Sequence, residues 1–463
     1  MKLLFLAPSM AIVWACSNLV AQSGSLPAAP APMKIQAQAL STLGTGGPAM
    51  QDGPAPMSGP VLSLADAEAR ALQHQPELIA QRLRQQAAGR VEAQTRSDYF
   101  PQIYGNLTGV EANGDSAVAA GNVTTSSVST RAAGGLTLLQ MITDFGRTND
   151  RVRAARLSAE ASGQATESIR QQILRNVDNA YFAAQAAESV LRTAHAVLTF
   201  RQISLRQLTA LAQSQLRSTL DVQFAQVLVS EAQMAVVRAD SAVTAARAQL
   251  TEAMGDENDP GYTLVDQALP PPPGSDVTTY VNEALGSRPD LHALALQAQS
   301  AHQSALAEKK LMYPTLNALG TAGELPTHDS TLKNEYGAVG INLNIPVFNG
   351  GLYSNLASEA RLRAQAVDND VAGFRLQIAR DVKTDWARAR DAYLEIQVAQ
   401  SLVDQTNEAM HLAQARYDAG LGSIVELNEA ELNQTSALIT AATARFDYQQ
   451  AHEQFDYTMG IIH

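Results

Sequence analysis

Cysteine is nearly absent: Cys16 is the only one in 463 residues. No intramolecular disulfide can form, so the fold must be held by packing alone. Aromatic residues are scarce at 5% and charged ones at 17%, while Ala, Gln, Leu and Arg abound, a balance that leans toward long packed helices. Positive charge is in deficit, with a formal net charge of −12. Phosphate binding needs a basic face, which excludes nucleic acid as the main partner. Beyond the N-terminus no uninterrupted apolar run reaches the roughly 18 residues of a spanning helix, so any membrane crossing must be made by strands. No phosphate-binding G-x-x-x-x-G-K-[ST] occurs, and the eight His residues are scattered without an i, i+4 pair. Neither a cofactor nor a metal nor an enzymatic activity is expected.

Residues 1–22 read as an export signal: Lys2 precedes the apolar stretch Leu3 to Ala15, and Val13-x-Ala15 offers a small-residue cleavage pattern. Cys16 after Val13-Trp14-Ala15 is similar to a bacterial lipoprotein cleavage site, although Trp14 is bulky where that site holds a small residue. Lipidation of Cys16 and a plain thiol beside a cleavage site both stay open. Residues 23–60 are rich in Pro, Ala, Gly, Ser and Gln without period and read as a linker.

A first repeat is expected over 61–255. Ser63-Leu-Ala-Asp66 caps a helix running to about Gln75, Pro76 kinks it or opens the next turn, and helix continues to about Ser97. A strand hairpin follows over 100–143. Ile103, Gly105, Leu107 and Gly109 alternate with Tyr104, Asn106, Thr108 and Val110; a polar loop, Asn113 to Ser129, precedes a second strand ending at Thr143. From Gly146 to about Gln215 the pattern is helical, a run about 100 Å long at roughly 1.5 Å per residue. After a turn at Arg217 to Leu220 the next helix carries a seam of Val222, Ala225, Val229, Ala232, Val236, Ala239, Val243, Ala246 and Leu250, spaced alternately three and four apart. Small seam residues let helix backbones approach closely, as in a coiled-coil wall.

Residues 256–276, with Pro260 and Pro270 to Pro273, read as a linker, and 277–463 as a second repeat with its strand hairpin over 313–348. Leu72, Pro76 and Leu78 match Leu285, Pro289 and Leu291 at an offset of 213; Gly146, Ile173, Val177, Asp221 and Met254 match Gly351, Ile378, Val382, Glu426 and Met459 at 205. A shared register over about 110 residues marks an internal duplication. Val339, Ile341, Leu343, Ile345 and Val347 alternate with small or polar residues, the pattern of a barrel strand with lipid on one side and water on the other. Four strands cannot close a barrel, and an open sheet edge is not viable in lipid. The chain must therefore oligomerise, and the physics sets no copy number.

The most specific stretches are Arg416-Tyr417-Asp-Ala-Gly420-Leu421-Gly422-Ser423-Ile-Val-Glu426 through Ala430, and Val347-Phe-Asn-Gly-Gly351. Together with the duplicated order of elements they resemble the TolC family of bacterial outer-membrane efflux proteins, over about Leu62 to Ile461. The resemblance implies a mainly α fold with a small membrane β-barrel. In it, a homotrimer combines an α-helical barrel in the periplasm with a 12-stranded β-barrel in the outer membrane, four strands per protomer. It implies a passive duct that meets a periplasmic adaptor (membrane fusion protein) and an inner-membrane pump. It also places a periplasmic gate at Asp221, Glu426 and Glu429, and inter-helix links at Arg416 and Tyr417. The hairpin-tip turns and adaptor contact fall at Leu216, Ser218, Gly420, Leu421, Gly422 and Ser423. Each of the three acids could instead serve only to complement a helix dipole. An adaptor with long helical hairpins, or the same fold exporting a secreted protein, are the alternatives.

Overall fold

The computed structural model describes residues 59–111, 131–327 and 333–462. The expected signal segment 1–22 with Cys16, nearly all of the 23–60 linker and the loop Asn113 to Ser129 lie outside the described residues. The first series of elements runs β1 (Val61–Leu62), α1 (Leu64–His74), α2 (Pro76–Arg96), β2 (Gln102–Val110), β3 (Arg131–Thr143), α3 (Arg147–Gln213) and α4 (Thr219–Met254). The second runs β4 (Thr263–Leu264), α5 (Val277–Ser287), α6 (Pro289–Lys309), β5 (Thr315–Thr327), β6 (Glu335–Asn344), α7 (Leu352–Asp418) and α8 (Ile424–Met459). The helices of the two series agree in length, at 11, 21, 67 and 36 residues.

Local chemistry explains where the helices start. Ser63 and Asp66 form a reciprocal capping box on α1, satisfying two backbone donors that would otherwise be orphaned. Pro76 and Pro289 occupy the first position of α2 and α6, where a missing N–H costs nothing. Each 67-residue helix is entered through a left-handed glycine, Gly146 at φ 87° and Gly351 at φ 83°, which a side chain would strain. Asp144 supports the first of these entries by accepting from the Gly146 and Thr148 backbone amides at 3.1 and 2.6 Å.

Both repeats fill their cores from the same positions. Ala71, Leu78, Ile173, Val177, Leu250 and Met254 belong to one cluster, and Ala284, Leu291, Ile378, Val382, Phe455 and Met459 to the other. Of the nine α4 seam residues, seven are buried; Val222 and Val236 are half-buried. Ala232 and Ala239 are among the buried ones, so α4 lies close along α3.

The segment 256–276, which reads as a linker, is a structured strap. Its strand β4 pairs in parallel with β1. The Tyr181 hydroxyl accepts from the Val265 amide at 2.8 Å and lies 2.9 Å from the Leu62 carbonyl. Tyr448 on α8 donates to the Pro271 carbonyl at 2.8 Å. Arg247 binds Glu188 at 2.6 Å and the Tyr262 carbonyl at 2.9 Å.

The four longer strands form one antiparallel sheet in the order β2-β3-β5-β6. Register places Ile103, Leu138, Gly320 and Val339 directly across from one another, and residues so paired share a face. That face also carries Leu107, Leu136, Ile341 and Leu343, all exposed. The other face carries Tyr104, Asn106, Thr108, Thr137, Thr321 and Asn342, with Asn106 donating to Thr137 at 3.1 Å. β6 stops at Asn344, so Ile345 and Val347 are not part of the alternating strand. Pro346 between them has no N–H to offer the ladder.

No helix among the described residues is long and apolar enough to cross a membrane. An adaptor with a single helical hairpin between compact β domains is not what is built: one chain carries two long hairpins, α3–α4 and α7–α8, and a shared sheet.

Candidate functional site

The turn between α3 and α4 and the turn between α7 and α8 are equivalent tips. In the second, Gly420 is left-handed at φ 73°, and the Leu421 amide closes on the Arg416 carbonyl at 2.8 Å. In the first, Gln215 takes the same place at φ 59°, and the Leu216 amide closes on the Leu211 carbonyl at 2.9 Å. Ser218 and Ser423 cap the returning helices, accepting from the Leu220 and Glu426 amides at 3.1 Å each. Gly422 has ordinary backbone angles; a Cβ there would lie 3.2 Å from both the Arg416 side chain and Glu426 Oε2. Its smallness serves close approach. Leu216 and Leu421 stand exposed at the two apices.

The tips are joined. Tyr417 on α7 is buried, and its hydroxyl donates to Asp221 Oδ2 on α4 at 2.7 Å. The Arg217 guanidinium lies over the Tyr417 ring, 4.1 Å from its centroid, and donates to the Tyr417 carbonyl at 2.9 Å. It also approaches Asp418 at 3.6 Å. Burial, and after it the Asp221 carboxylate, push the Tyr417 phenol well above its usual range. The phenol is therefore a permanent donor at any physiological pH. Beneath it Leu208, Ala225, Ala413 and Leu427 pack as a small apolar cluster. Four helices meet at this point.

Of the expected site residues, the structure brings Asp221 and Tyr417 together across the hairpins. Arg416 pairs instead with Glu426 of its own hairpin, at 3.1 Å. Glu429 is exposed and belongs to neither contact. Arg217 is the residue that sequence reasoning passed over. Offset by 205, it stands where the second repeat has Gly422, and a long cation replacing a turn glycine was the signal.

Residues 69–256 and 280–460 match the family model described as outer membrane efflux protein. The solvent efflux pump outer membrane protein SrpC of Pseudomonas putida is 26% identical over 297 residues, 62% of this chain and 62% of that protein. This match thus spans less than two thirds of that relative. The outer membrane protein TolC of Vibrio cholerae is 22% identical over 422 residues, 86% of this chain and 91% of that one. Among solved structures, CusC superposes with a TM-score of 0.76 at 18% identity, covering 89% of this chain and 95% of that chain.

Proposed function

The chain belongs to the outer membrane efflux protein family, and we propose that it is the outer-membrane duct of a tripartite efflux or export system. Solutes delivered by an inner-membrane pump and a periplasmic adaptor pass through it without further energy input. Its helical hairpins stand in the periplasm and its strands in the outer membrane.

The observation that carries this reading is the four-stranded sheet, whose outer strands β2 and β6 have no partner on one side within the described chain. One of its faces is apolar and exposed. In lipid such a sheet is tolerable only if further copies continue the ladder into a closed barrel. Three copies, as in the family, give twelve strands. The helices support the same assembly. Leu220, Val227 and Met234 line α4 at seven-residue spacing, and Leu394, Val398 and Leu402 line α7; all are exposed, as suits faces covered by neighbouring copies.

In this trimer the tips form the gate. Asp221, Glu426 and Glu429 lie around its mouth in triplicate, favouring cations over anions. The Tyr417–Asp221 hydrogen bond, with Arg217 stacked on it, and the Arg416–Glu426 pair fix the closed arrangement. Leu216 and Leu421 at the apices are the contact for the adaptor. The experiment is single-channel recording of the detergent-extracted protein after its oligomer mass is measured. A trimer passing small, cation-preferring currents is expected, with the preference reduced in the Glu426→Ala, Glu429→Ala double variant. Unchanged selectivity would remove the acidic gate, and a water-soluble monomer without current would overturn the duct.

A further inference from the structure

About two turns above the tip link, the seam between α3 and α8 opens into a cavity of about 320 Å³. Its polar edge is formed by Arg201 on α3 and Glu431 on α8, each only 5% exposed. Arg201 is engaged at both terminal nitrogens. One terminal nitrogen donates to the Leu228 carbonyl at 3.0 Å, the other to Thr435 Oγ1 at 3.4 Å, and Glu231 stands 3.8 Å away. Glu431 has no hydrogen-bond donor or ion-pair partner within reach of its carboxylate among the described residues. Burial raises its pKa, and the nearby Arg201 guanidinium draws it back down.

The charges around the seam do not balance. One guanidinium faces two carboxylates, and the exposed Glu231 already lies against it. The surplus negative charge rests on Glu431, in the wall of the cavity. A carboxylate on a largely buried side chain, compensated only by a guanidinium that it shares with Glu231, is costly, and the open side of the group borders the cavity. The remaining wall is mainly apolar, from Phe200 on α3, Met410 on α7 and Leu438 on α8. A concave apolar site with one convergent ionic group is the usual form of a small-molecule site.

We propose that this cavity binds a small organic ammonium ion: a primary amine donating to the Glu431 carboxylate, with its hydrocarbon body against Phe200, Met410 and Leu438. The size agrees. An apolar cavity of about 150 Å³ takes one benzene ring, so this one holds a phenylalkylamine with room for a second small substituent. A soft thioether and an aromatic face suit such a body. All the lining residues come from one chain, so the site does not depend on the duct reading or on the number of copies.

The test is calorimetric titration of the full-length protein in lipid nanodiscs with 2-phenylethylamine and with 2-phenylethanol, which has the same body without the charge. Saturable amine binding at least tenfold tighter than that of the alcohol is expected. Glu431→Gln should erase that preference while leaving the alcohol unchanged, and Leu438→Trp, which fills the space, should abolish binding of both. Absence of saturable amine binding, equal affinity for the two ligands, or an undiminished preference in Glu431→Gln would each overturn the site. A thermal melt of each variant beside the parent identifies any loss caused by misfolding, and Leu438→Trp then tests the cavity without touching the charge.

Discussion

Replacing Asp178 with Asn is expected to stabilise the protein at neutral and alkaline pH and to do nothing for it in acid. Asp178 lies on α3 with 2% of its surface exposed. It is hydrogen-bonded to Glu68 on α1, and Glu453 on α8 adds a second negative charge nearby. Its Oδ1 atom is buried without a hydrogen-bond partner. Arg170 faces Glu68, while His452 and Asp456 flank Glu453. Burial first, then Glu453 and Glu68, push the Asp178 carboxyl up to about 9. Burial and Asp456 push Glu453 up to about 7. The proton therefore sits on Asp178, which donates to Glu68.

An unfolded chain gives up the Asp178 proton near pH ~3.9, whereas the folded chain keeps it far longer. Stability from this group is thus fully present below that value and is lost as pH rises toward about 9. Each pH unit in the window removes up to about 1.4 kcal/mol, so the loss between pH ~4 and pH ~7 reaches up to roughly 4 kcal/mol. Asparagine keeps a donor toward Glu68 and carries no charge at any pH. Melting curves of parent and Asp178→Asn should coincide near pH ~4 and separate progressively as pH rises, the variant being the more stable. A variant that differs from the parent by the same margin at every pH would refute the argument, since the Asp178 carboxyl would then titrate alike in the folded and unfolded chains.

Two further outcomes follow from packing. Gln215→Gly should stabilise the first tip by about 0.5–1 kcal/mol and Gly420→Ala destabilise the second by about 1 kcal/mol, because both positions are left-handed; hydrogen exchange of the tip amides reads each separately. Ala232→Leu with Ala239→Leu should overpack the α3–α4 seam by about 1–3 kcal/mol per site, lowering the yield of assembled oligomer. Full assembly and an unchanged melt would mean that the seam has room.

Much of this was legible from period and repetition. The seam from Val222 to Leu250 announces the face that α4 buries, and the alternation around Val339 to Leu343 announces the two faces of β6. Side chains fixed by tertiary distance left no such trace. The Pro-rich strap reads as a break because its anchors, Tyr181 and Tyr448, lie in helices far along the chain. Gln215 hides its left-handed turn because only glycine advertises one. Asp178, Glu431 and Arg201 look like solvated helix residues until the fold buries them. The Tyr417–Asp221 bond was half visible: the residues stood out by resemblance, but Arg217, which seats the ring, did not.

The two repeats agree where they must pack and differ where they must join. Core pairs such as Val177 and Val382 are identical at the constant offset, but at the tips Arg217 stands against Gly422, Phe224 against Glu429, and Ala212 against Tyr417. A perfectly symmetric pair of tips would place like against like, with no donor to meet the Asp221 acceptor. Divergence gives one tip the phenol and the other the carboxylate and guanidinium that hold it. The link is therefore complete within a single chain. The two hairpins are thus locked together by side chains of one protomer, while Glu429, exposed and outside both contacts, is left unpaired by the link.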